Sequence, residues 1–136
     1  MRQYLSVNYF LAVGGTTLLA LGVLGLITWS GGILKENSVF YLDDGENVAH
    51  IVLGAVALLL VGTMRSQTQL LKWVVVLVGL VALFFGIYGF SVAGKDIPNT
   101  FGLANLENPL DNLLHLVVGA WALLAAFWGR SAPAAM

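Results

Sequence analysis

Two stretches decide how this chain is read: Glu46-Asn47-Val48-Ala49-His50-Ile51-Val52-Leu53-Gly54-Ala55 and Asp111-Asn112-Leu113-Leu114-His115-Leu116-Val117-Val118-Gly119-Ala120. Both read acid-Asn-x-x-His-x-x-x-Gly-Ala, and they lie 65 residues apart. The likeness continues through Ala57/Ala122, Leu58/Leu123 and Leu59/Leu124 to Arg65/Arg130, and it contains both histidines of the protein. On a helix, Asn47, His50 and Gly54 fall at i, i+3 and i+7 and share one face, with Glu46 one turn before His50. Asp111, Asn112, His115 and Gly119 repeat that arrangement. An apolar run follows each cluster, so the pattern reads as a helix entering a membrane twice in the same way.

Composition supports a membrane chain. Of 136 residues, 59% are hydrophobic and 10% charged, and the mean hydropathy is +0.89. A soluble domain carries about 25% charged residues, whereas lipid makes isolated charges costly. The net charge of −1 gives nucleic-acid binding no electrostatic support. Cysteine is absent, which excludes disulfides, thiolate catalysis, iron–sulfur clusters and cysteine zinc sites.

Four apolar segments are predicted to span. The first runs from about Asn8 to Trp29, with Tyr4, Tyr9 and Trp29 near its ends as an aromatic belt. It is too long for a secretory h-region and reads as a retained helix. The second, about Asp44 to Met64, opens on Asp43-x-x-Glu46, a capping-box spacing. Arg65 to Gln69 is a short turn, which makes the second and third helices antiparallel neighbours. The third helix runs from about Leu70 to Val92. The fourth opens on Asn108-Pro109-Leu110-Asp111, with Asn108 as N-cap, Pro109 at N1 and Asp111 at N3, and ends near Gly129-Arg130. Glycines 14, 15, 22 and 25 in the first helix and 79, 86 and 89 in the third permit close packing, although no G-x-x-x-G occurs. Trp121 lies deeper and is expected to pack between helices, or against lipid or a partner's pigment.

The fold class expected is an all-α membrane protein, a four-transmembrane-helix bundle of two tandem parallel two-helix repeats. The repeats cover about residues 1–65 and 66–130, followed by a tail at 131–136. Two spans per repeat give both copies the same orientation, related by an axis along the membrane normal. Arg2, Arg65, Lys72 and Arg130 fall at one face, while all seven acids fall at the other with only Lys35 and Lys95. The positive-inside rule then puts both termini in the cytoplasm and both His motifs outside.

The repeated cluster admits several readings. In the structural one, Glu46 and Asp111 cap helices, Asn47 and Asn112 bond across helices or to loops, and His50 and His115 donate to a carbonyl or to the opposite loop, tying the helix entrances to long loops without structure of their own. Gly54, Gly119, Ala55 and Ala120 then let helices approach. In the ligand reading, His50 and His115 converge and hold a haem, a chlorophyll magnesium or, with Glu46 and Asp111, a metal such as zinc or iron. A small transporter is the third reading, with little polar character at the midplane to favour it. No nucleophile–base pair, phosphate loop or zincin motif argues for an enzyme.

The second copy, with the preceding Phe101-Gly102-Leu103-Ala104-Asn105-Leu106-Glu107-Asn108-Pro109-Leu110, resembles a bacterial family of small four-span membrane proteins catalogued as domain of unknown function 4383. The shared pattern is a loop ending in Gly-Leu, an Asn a few residues on, then Asn-x-x-His-x-x-x-Gly. The first copy, from Phe40 to His50, matches it more loosely. The resemblance implies membrane location and four helices, and no activity or cofactor. The expectation is a non-catalytic accessory or scaffold subunit of a larger respiratory or photosynthetic membrane complex, with lipid and other membrane subunits as partners.

Overall fold

The computed structural model describes residues 5–30, 42–96, 99–106 and 109–129. Arg2, Tyr4, Lys35, Glu36, Glu107, Asn108, Arg130 and the tail at 131–136 lie outside the described residues, as does the Trp29 side chain. Four helices follow in order: α1 (Val7–Ser30), α2 (Asp44–Thr63), α3 (Thr68–Val92) and α4 (Leu110–Trp128). Each is long and apolar enough to cross a membrane, so the protein is an all-α bundle of four membrane-spanning helices. They pack as two hairpins, α1 on α2 and α3 on α4.

The helix starts follow from local chemistry. Asp43 is the N-cap of α2 and completes a capping box: its Oδ1 accepts from the Glu46 N–H at 2.9 Å, and Glu46 Oε2 accepts from the Asp43 N–H at 3.0 Å. At α4 the helix begins one residue later than its sequence suggests. Pro109 occupies the N-cap position with a helical φ of −100°, no side chain caps it, and Asp111 is the second helical residue. The proline ring fixes φ and contributes no donor, so it serves on either side of such a boundary.

The two hairpins share a core at the end that bears Arg65 and Lys72. Phe10 and Leu11 of α1, Leu71, Val75 and Val76 of α3, and Ala122, Ala125 and Ala126 of α4 are buried together, with Ala57, Leu60 and Val61 of α2 against them. Trp121 packs between helices as expected, edge-on to Phe10 at 4.8 Å and Tyr9 at 6.4 Å between ring centroids. The neighbour relation of α2 and α3 is corrected. The turn at 64–67 joins them, but it is α1 that reaches across to α3 and α4. Large apolar side chains such as Ile27, Leu59, Leu77, Ile87 and Val117 lie exposed around the bundle, as lipid-facing residues do.

Candidate functional site

Each polar cluster sits at the start of its helix and presses a side-chain amide into the partner helix of its own hairpin. Asn47 is fully buried, and its Nδ2 donates to the Leu42 carbonyl at 3.1 Å. Its Oδ1 lies where a Cβ on Gly25 would stand. Asn112, also fully buried, stands in the same relation to Gly89. An oxygen aimed along a glycine Cα–H makes the weak Cα–H···O contact found at close helix crossings. Alanine at either glycine would put its methyl into the amide.

The interface below repeats as closely. A Cβ on Gly54 would stand 2.6 Å from the Leu19 nitrogen and 2.7 Å from the Gly15 carbonyl oxygen. A Cβ on Gly119 would stand 2.7 Å from Leu83 Cγ and 2.9 Å from the Gly79 oxygen. Gly22 faces the Asn47 carbonyl and Ile51, and Gly86 faces the Asn112 carbonyl and Leu116. Equivalent residues are 64 apart in α1 and α3 (Gly25 and Gly89) and 65 apart in α2 and α4 (Asn47 and Asn112). Sequence reading took these glycines as general packing and missed their pairing with the asparagines. The signal was present, because Gly15, Gly22 and Gly25 have the same spacing as Gly79, Gly86 and Gly89.

The histidines differ. His115 Nδ1 lies 2.9 Å from the Asp111 carbonyl oxygen and 3.2 Å from Asp111 Oδ1. With Nδ1–H donating, neutral His115 carries its lone pair on Nε2. Phe85 flanks the ring at 6.1 Å. His50 Nδ1 is buried without a partner, and so is Asp111 Oδ2. Glu46 is buried and turned to its capping box. Among the described residues no group of three His, Asp or Glu side chains is placed to hold a metal ion.

The loop before α4 has structure of its own, contrary to expectation. Thr100 and Ala104 form an isolated bridge around a tight turn in which Phe101 (φ 53°) and Gly102 (φ 73°) are both left-handed. Positive φ at both central positions is the pattern of a type I′ turn, and Phe101 bears it while stacked on Tyr88 at 5.1 Å. The loop docks on the start of α2: the Asn105 N–H donates to Asp43 Oδ2 at 2.6 Å, and Leu103 O faces Gly45. Asp43, not a histidine, therefore makes this tie between loop and helix entrance. No family model, curated protein or solved structure matches the chain.

Proposed function

We propose that this is a non-catalytic membrane subunit whose role is structural: two rigid helical hairpins that present apolar faces to lipid and to other subunits of a larger respiratory or photosynthetic assembly. One observation carries the reading. Polar residues that enter the apolar helices are seated in the helix packing, with Asn47 and Asn112 buried against Gly25 and Gly89 and Glu46 closed in a capping box. Groups engaged in this way hold helices together and leave little for turnover. Native electrophoresis of mildly solubilised membranes tests it: the protein should migrate with a complex identified by its own haem or chlorophyll bands. Migration of all the protein at its own detergent-bound size contradicts the reading.

A second reading has an observation of its own. His115 bonds through Nδ1 to Asp111, the anchoring that metal-binding imidazoles adopt at their second nitrogen. His50 Nδ1 and Asp111 Oδ2 are buried without partners. A haem or chlorophyll here would draw on His50 or His115, and a divalent cation would have to complete its shell from beyond these side chains, since no three of them converge among the described residues. A visible spectrum and metal analysis of purified protein separate the readings. The structural role predicts no band and no metal, whereas the ligand role predicts one that His50→Asn or His115→Asn removes.

A further inference from the structure

At the opposite end from the histidines, the start of α1, the turn after α2, the first turn of α3 and the end of α4 enclose a cavity of about 230 Å³. Its wall holds two cations, Arg65 and Lys72, together with the polar side chains of Asn8, Thr68 and Gln69. Among the described residues neither cation forms an ion pair, and every acid of the chain falls toward the other end of the spans in sequence. Lys72 is positioned, with Nζ 4.9 Å over the Phe127 ring, and the backbone that carries Arg65 is tied to α1 by its carbonyl, which accepts from Asn8 Nδ2 at 3.4 Å. Gln67, the N-cap of α3, makes no side-chain cap hydrogen bond, so the amides opening α3 beside the cavity add positive partial charge.

We propose that this cavity binds the phosphate oxyanion of an anionic phospholipid headgroup, gripped by Arg65 and Lys72. A concave site with two unneutralised cations, at the mouth of four membrane-length helices, lies where headgroup phosphates are concentrated. Phe127 lines the cavity, and Leu124 lies one turn before it on α4; both are exposed and apolar, as an acyl chain leaving the headgroup requires. Free phosphate offers the same oxyanion without the chain, so the two sources can be told apart.

The test is native mass spectrometry of delipidated protein in mild detergent, titrated with phosphatidylglycerol, phosphatidylcholine or inorganic phosphate. Phosphatidylglycerol should bind with one tight site, phosphatidylcholine should bind much more weakly, and inorganic phosphate should not displace the lipid. Arg65→Gln and Lys72→Gln should each weaken phosphatidylglycerol about fivefold, Lys72→Arg should restore most of the affinity, and Lys95→Gln at the other end should change nothing. Helical circular dichroism and melting of each variant separate lost binding from lost folding, and the Lys72→Arg rescue decides where Lys72→Gln is unstable. Equal binding of the two lipids, or wild-type affinity in a folded Arg65→Gln/Lys72→Gln variant, overturns the proposal. Inorganic phosphate that displaces the lipid and depends on the same cations would assign the cavity to free phosphate instead.

Discussion

The α1·α2 and α3·α4 hairpins begin from the same ten-residue pattern and use its acid in opposite directions. In the first, Asp43 caps the helix, Glu46 folds back to the Asp43 N–H, and His50 Nδ1 is left buried without a partner. In the second, Pro109 stands at the cap with no side-chain bond, and Asp111 holds His115 Nδ1. The amides are used identically, Asn47 on Gly25 and Asn112 on Gly89. The duplicated element is therefore the Asn–Gly contact. The histidine is a position whose surroundings have diverged, because whichever residue caps the helix decides what the neighbouring carboxylate is free to do.

Substitutions at the glycines and histidines test how alike the two hairpins are. The largest effect is expected at Gly54 and Gly119, where a Cβ meets the facing helix, and each alanine variant should lose about 2–3 kcal/mol in detergent unfolding. Gly54→Ala should be the worse, since it strikes two backbone atoms of α1, whereas Gly119→Ala also strikes the movable end of Leu83. Next come Gly25→Ala and Gly89→Ala, each costing about 1–2 kcal/mol and matching one another closely, because both strike a buried asparagine amide. Unequal losses there would separate the hairpins where the structure makes them alike.

The histidines should separate the hairpins in the other direction. His115→Leu gives up the bond to Asp111 and should cost about 1 kcal/mol. His50→Leu removes a buried nitrogen without a partner and should be neutral or slightly stabilising, by chemical denaturation of both variants side by side. Smallest of all, Gly14→Ala and Gly62→Ala, where a Cβ meets nothing within 4 Å, should stay within about 0.5 kcal/mol of the parent.

Most of the fold was legible. Four apolar runs, the Asp43–Glu46 capping box and the two-copy motif place the four helices to within one or two residues and give the two hairpins, although not which helices meet between them. Three things were not legible, each for a physical reason. The glycines of α1 and α3 match only by spacing, within runs whose other residues differ, so their partnership with Asn47 and Asn112 appears only once the helices are packed. The loop at 99–106 contains the left-handed Phe101, a conformation that a bulky side chain rarely adopts, and no local pattern announces it. The tie from Asn105 to Asp43 spans 62 residues and exists only after the hairpins meet. In the site, the doubled sequence suggested two equivalent histidines, and capping chemistry made them unequal.

Each hairpin is held by an asparagine amide seated on a glycine of the facing helix. A double-mutant cycle measures it directly, with unfolding free energies for the parent, Gly25→Ala, Asn47→Ala and Gly25→Ala/Asn47→Ala. If the amide and the added methyl compete for one space, Asn47→Ala should relieve the Gly25→Ala penalty, and the double variant should be about 1 kcal/mol or more better than the sum of the singles. Additivity within about 0.3–0.5 kcal/mol would mean that the two positions do not touch, and would contradict the account.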